Sequence, residues 1–214
     1  MIVKPPFANS YGPSVVLALM ILAGAGASQA ADPAPAAPAA ARAFKDENLI
    51  AAIPRGYKVG SSAAQGPVLI AEYVPTAETV DNWTSIITVQ IYRNLTTVTP
   101  DKFASDLADR VKGACPGAEA RKLVDSVENG YAMSVWTMAC PLNPQTHKPE
   151  TLSIKVIRGQ DALYSVQYAY RETLTPERQA PAMAFLGRVL VCDTRKPDRA
   201  CPAPLTAGAG PAAK

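Results

Sequence analysis

Between Glu119 and Tyr170 the chain alternates apolar and polar positions in four runs, ARKLVDSV, YAMSVWTMA, TLSIKVIR and ALYSVQYAY. Each has the β-branched and aromatic content and the period-two spacing of a half-buried strand. Glu128-Asn129-Gly130 separates the first two runs and Gly159-Gln160-Asp161 the last two, which predicts two successive hairpins. Upstream, Asn48 to Ile53 predicts a short extended piece ending in the turn Pro54-Arg55-Gly56-Tyr57. Val68 to Val74 predicts a strand stopped by Pro75, which has no amide to offer a ladder. In Thr84 to Arg93 one face carries Ile87, Val89 and Ile91 and the other Thr88, Gln90 and Tyr92. That division predicts an antiparallel sheet with one buried and one wetter side.

Helical spacing replaces alternation in two places. Thr99-Pro100-Asp101 supplies a capping hydroxyl, a proline at the first helical position and a carboxylate near the positive end of the dipole. Phe103, Leu107 and Val111 then recur on one stripe, and Gly113 is the expected stop. Thr175-Pro176-Glu177 repeats the opening, with Met183, Leu186, Val189 and Leu190 on the expected buried face and Pro181 as an expected kink. Three strands, a helix, four strands and a helix give an α+β domain, an antiparallel sheet of about six to seven strands with two main helices packed against it.

The pattern changes outside this region. Val15 to Ala27 is an apolar run of about 13 residues, too short to span a bilayer but suited to the core of a secretory signal. Ser28 and Ala30 are the small residues a signal peptidase needs, so residues 1–30 read as a signal peptide. No Cys follows the run, which argues against a lipid anchor. Residues 31–43 read as an Ala/Pro-rich linker and 203–214 as a disordered tail. Between them, 44–202 reads as a single globular domain of about 160 residues, enough to bury a core without cross-links. No integral membrane span is expected after signal cleavage, and the location expected is periplasmic or secreted.

Lys and Arg number 21 against 18 Asp and Glu, and Lys4 leaves with the signal. The basic residues are scattered, so a nucleic-acid partner is not expected. Four cysteines in an exported chain predict disulfides, and chain position pairs Cys115 with Cys140 and Cys192 with Cys201. There is no C-x-x-C, and His147 is the sole histidine, so neither a metal centre nor a cofactor is expected.

Catalysis would have to use His147, in the loop between the hairpins, or the carboxylates Glu72, Glu78 and Asp81 near the joint of the second and third strands. Two aromatic groups are candidates for binding. Trp83 stands at a strand entrance, where an indole either packs at the core edge or stacks on a ligand. Tyr164, Tyr168 and Tyr170 share one face of the last strand, either as a binding surface or packed under the second helix.

The segment Ile53-Pro54-Arg55-Gly56-Tyr57, the Thr-Pro-Asp helix after a long third strand, the meander and the closing helix resemble small PsbP-like domains, including the DcrB-like bacterial envelope proteins. The likeness runs from about Leu49 to Val191, and the family often has tryptophan where Tyr57 stands. It implies a sandwich around an antiparallel sheet and accessory or binding roles, and it implies no site residue. The function expected is a non-enzymatic binding or accessory module of the bacterial envelope, with an envelope protein or cell-surface component as partner. The alternatives are a small envelope enzyme, either a carboxylate-dependent hydrolase or a thiol oxidoreductase, and a carrier of a small apolar ligand.

Overall fold

Alternating runs and capped helical stretches both appear as elements in the computed structural model, which describes residues 44–202. The stretches expected to be signal peptide, linker and tail lie outside the described residues. In chain order the elements are β1 (Glu47–Ile50), β2 (Tyr57–Gln65), β3 (Val68–Pro75), β4 (Ser85–Arg93), α1 (Pro100–Ala114), β5 (Glu119–Glu128), β6 (Tyr131–Asn143), β7 (Lys148–Arg158), β8 (Ala162–Tyr170), α2 (Pro176–Arg188) and β9 (Leu190–Asp193). Seven strands form one antiparallel sheet in the order β2-β3-β4-β8-β7-β6-β5, and β1 pairs with β9 in a separate antiparallel ribbon. The fold class is therefore α+β, as the element order predicts.

Two strands were not legible as such. β2, YKVGSSAAQ, has small and polar residues where a strand signal needs branched or aromatic ones, and its pairing with β3 carries it. Leu190, expected on the buried face of the second helix, instead pairs with Ile50 in the β1–β9 ribbon. α2 runs through Pro181 without ending there, because the loss of one backbone bond is outweighed by the burial of Ala182, Phe185 and Leu186.

Each helix is capped as expected. Thr99 Oγ1 accepts from the Lys102 amide at 3.2 Å, and Thr175 Oγ1 from the Arg178 amide at 3.5 Å. Asn129 and Gly130, with φ of 47° and 73°, close the β5–β6 hairpin in the mirror-image turn that matches strand twist.

The sheet has two covered faces. On the first, α1 lays Leu107, Ala108 and Val111 against Met138, Leu152 and Ile154. On the second, Phe185 and Leu186 of α2 and Val191 of β9 pack on Ile157, Tyr164, Val166 and Tyr168. The expectation of a wetter side to β4 fails. Thr88 and Gln90 are 1% and 4% exposed, and the Gln167 amide donates to Gln90 Oε1 at 3.0 Å. The two glutamines satisfy each other across β4 and β8, whereas the buried hydroxyls of Thr88 and Ser165 find no hydrogen-bond partner among the described residues.

On the second face Lys155 is buried. Its ammonium donates to the carbonyls of Leu186, at 3.2 Å, and Val189, at 2.6 Å, and also meets Glu128. A cation at the end of α2 satisfies carbonyls that the helix leaves open and complements its dipole. The disulfides join Cys115 to Cys140 and Cys192 to Cys201, tying the end of α1 to β6 and closing the loop after β9.

Candidate functional site

α2 packs mainly on β7 and β8, so the second face is unevenly covered. Over β3 and β4 its cover is the extended segment that leaves β1. Between that segment and the sheet lies a cleft of ≈ 560 Å³. Its floor is Leu69 and Tyr73 of β3 with Val89 and Ile91 of β4, and its wall is Leu49, Ala51 and Ile53. The floor follows from register, since Leu69 faces Ile91 and Ala71 faces Val89 on one side of the sheet. Its volume falls in the range of small-molecule clefts. A second depression, of ≈ 660 Å³, is lined mainly by short or polar residues such as Ala120, Thr137 and Thr151.

Charged groups ring the mouth of the cleft. Glu47 accepts from the amides of Gln160 at 2.7 Å and Asp161 at 3.0 Å, and from the Tyr164 hydroxyl at 3.0 Å. A β-carbon at Gly159 would lie 2.0 Å from Glu47 Oε1, so only glycine lets the carboxylate seat in this turn. Burial, and secondarily the charge of Glu47, pushes the Tyr164 hydroxyl far above its ordinary range. Arg195 Nη2 reaches both Asp161 Oδ2 and Asp193 Oδ2 at 2.7 Å. Its hydrogen bonds hold the Asp193 carboxyl below the usual carboxylate range. Arg93 lines the same mouth, is exposed, and has no hydrogen bond or ion pair from its side chain among the described residues.

Of the aromatic residues singled out in the sequence, Tyr164 lines this cleft and the others lie elsewhere. Trp83 is 5% exposed in the first-face core, with the Arg171 guanidinium 4.1 Å from its ring centroid. Tyr164 and Tyr168 are buried, and Tyr170 is partly buried. The Tyr168 ring stacks on Tyr170 and takes Phe185 edge-on, and its hydroxyl lies 2.7 Å from that of Tyr57. Tyr57 in turn is 2.6 Å from Ser85 Oγ. Burial pushes the Tyr57 and Tyr168 hydroxyls well above their ordinary range. The tyrosine face is thus packed under α2, because β8 lies at the centre of the sheet between β4 and β7. Trp83 is enclosed because the loop that carries it folds over the same core.

The catalytic candidates do not assemble into a site. Glu72 is buried and accepts from Ser61 at 2.5 Å, on the first face. Glu78 caps its own loop, accepting from the amide and hydroxyl of Thr84 at 2.7 and 2.8 Å. Asp81 is exposed. His147 is an exposed turn residue with φ of 53°. Glu47, Arg93 and Asp161, which do meet at a cleft, come from β1, β4 and the β7–β8 turn. No local spacing in the sequence points to them.

No protein-family model matches this sequence, and no curated protein matches it. Among solved structures the chain is similar to cyanobacterial PsbP from Synechocystis, at 13% identity over 72% of this chain and 95% of that one, with a TM-score of 0.42. It is similar to the Saccharomyces cerevisiae Ran-binding protein Mog1p at 12% identity, over 66% and 85% of the two chains, with a TM-score of 0.40. LpqN, involved in cell envelope biogenesis of Mycobacterium tuberculosis, matches at 10% identity over 69% and 84%, with a TM-score of 0.39. At these identities the likeness to PsbP-type domains is one of fold, and neither an activity nor a site residue comes with it.

Proposed function

We propose that this chain is an exported, non-enzymatic binding module that takes a small apolar ligand into the cleft between β1 and the sheet. The observation that carries the reading is the floor of Leu69, Tyr73, Val89 and Ile91, apolar side chains left only partly buried by a sheet that elsewhere covers its core. The apolar run with Ser28 and Ala30, and two disulfides between the cysteines, support an oxidising compartment outside the cytoplasm. The sulfurs act as staples here, since Cys115, Cys140 and Cys192 are at most 3% exposed. A small ligand fits better than a broad protein interface. The exposed large apolar side chains are the aliphatics Val59, Val124, Val127 and Leu142, divided between β2 at one edge of the sheet and β5 and β6 at the other. Among the described residues, no helix is long and apolar enough to cross a membrane.

The test is titration with an apolar fluorescent dye and its displacement by short aliphatic compounds, on wild type and on Ala51→Trp, which fills the cleft from its wall. Saturable binding that Ala51→Trp removes, with an unchanged near-UV circular dichroism spectrum, supports the reading. Binding that Ala51→Trp leaves intact, or no saturable binding to wild type, overturns it.

A further inference from the structure

We infer that the ligand of the cleft is a small amphiphile with a single carboxylate head, held with the head at Arg93 and the apolar tail along β3 and β4. This deepens the cleft-binding reading and rests on it.

The charges at the mouth are not equivalent. Glu47 has its oxygens committed to two turn amides and the Tyr164 hydroxyl. Asp161 is paired with Arg195, which is shared with Asp193. Arg93 stands apart: it lines the cleft, and its side chain has no hydrogen bond or ion pair among the described residues. Alternation along β4 puts Arg93 on the same side of the sheet as Val89 and Ile91, one step beyond the floor. Asn94 follows in the left-handed region, with φ of 63°, and its amide donates to the Asp161 carbonyl at 2.9 Å. This turn ends β4 and leaves Arg93 at the end of the groove, where a guanidinium fork can take a carboxylate through two parallel hydrogen bonds.

The groove also sets a length. From Leu69 to Tyr73 the floor covers four residue steps, about 13 Å. An extended tail of that length lies between Arg93 and Tyr73 and covers the apolar side chains that α2 does not. A neutral molecule of the same shape would leave Arg93 without a counter-charge. A cationic one would meet Arg93 head-on, and its attraction to Glu47 is the competing possibility that a charge series decides.

The experiment measures binding of decanoate, decanol and decylammonium, each below its micelle concentration, to the full mature chain by calorimetry. Wild type, Arg93→Gln, Arg93→Lys and Ala51→Trp are compared. Arg93 is exposed at a strand end, so its variants are expected to fold, which melting curves verify. Decanoate is expected to bind at least tenfold tighter than either analogue. Arg93→Gln should erase that preference while leaving decanol unchanged, and Arg93→Lys should keep part of it. If Arg93→Gln binds decanoate like wild type, or decylammonium binds as well as decanoate, the head-group assignment is overturned. If decanol and decanoate bind alike and Ala51→Trp blocks both, the cleft reading stands and the Arg93 assignment falls. If none of the three binds to wild type, the cleft reading itself is lost.

Discussion

The two faces of the sheet are covered by helices that begin with the same signal, Thr-Pro-Asp in α1 and Thr-Pro-Glu in α2, yet only one face is closed. α1 lies on β5, β6 and β7, and the loops that carry Val80, Trp83, Leu95 and Val98 complete the cover above the remaining strands. This cover is tight enough to trap Thr88, Gln90 and Gln167 beneath it. α2 packs mainly on β7 and β8, and beyond them the second face relies on the chain leaving β1. The difference teaches that a helix covering two strands of a seven-stranded sheet leaves a strip of floor that some other element must fill. Here the element is one extended segment, and it leaves room for a ligand. The buried Lys155 fits the same picture, because it anchors the end of α2 to β7 and so fixes where the cover stops.

The sharpest way to break this comparison is to make one chemical change on both faces. Leu107→Ala, under the closed cover, is expected to cost about 4 kcal/mol through lost burial and an unfilled cavity. Leu69→Ala, on the cleft floor, is expected to cost about 1 kcal/mol or less, because water already reaches that side chain. Urea midpoints at unchanged slope give both values, and equal losses would mean that the cleft is as closed as the other face.

Lys155→Ala comes next, at about 3 kcal/mol, since it strands the buried Val189 carbonyl, takes one of two donors from the Leu186 carbonyl and removes the partner of Glu128. Lys155→Met, which keeps the volume, should cost less. If both variants unfold like wild type in urea, Lys155 does not anchor α2.

Replacing Cys115 and Cys140 together by alanine is expected to cost about 2–3 kcal/mol. The Cys192–Cys201 pair closes a loop with a sequence separation of 9 against 25, and its removal should cost less. Melting temperatures of the two double variants check the order, and a reversed order would put the stabilising staple at the ribbon. Thr99→Ala and Thr175→Ala should each cost about 1 kcal/mol. A clear excess for Thr99 would show that the start of α1 carries more of the fold than the start of α2.

The smallest effect within the working pH range is alkaline. Burial first, and then neighbouring charge for Tyr164, raises the hydroxyls of Tyr57, Tyr164 and Tyr168 in the folded state. The protonated form is therefore favoured by folding. The associated stability is intact below the unfolded tyrosine value, about pH 10, and is lost as pH rises above it. Tyrosinate absorbance should show these hydroxyls silent near pH 10 and appearing together with unfolding. A smooth titration of all tyrosines before any loss of structure would mean that the second face is more open than its packing indicates.

Local grammar was legible where one short stretch holds the whole cause. The Thr-Pro starts of α1 and α2, the Asn129-Gly130 turn and the two hairpins each depend on neighbours within a few residues, and each appears where the spacing predicts it. The cysteine pairs were readable because chain position placed them at the ends of elements that must meet. β2 was missed because the small residues of GSSAA carry no strand signal without the partner strand β3. Trp83 and the β8 tyrosines were readable as either core or binding surface, because alternation states which residues share a side and not what covers it.

The sequence by itself determined the helix starts, the hairpin turns, the strands of the two hairpins and the pairing of sulfurs, since these follow from propensity, capping and chain proximity. Tertiary structure alone decided that β8 sits at the centre, that α2 packs mainly on β7 and β8, and that Glu47, Arg93 and Asp161 meet around one cleft. These outcomes depend on strand order and on the register of residues more than a hundred positions apart, such as Glu47 and Asp161. Such contacts come from the competition of whole faces for burial, which no local pattern records.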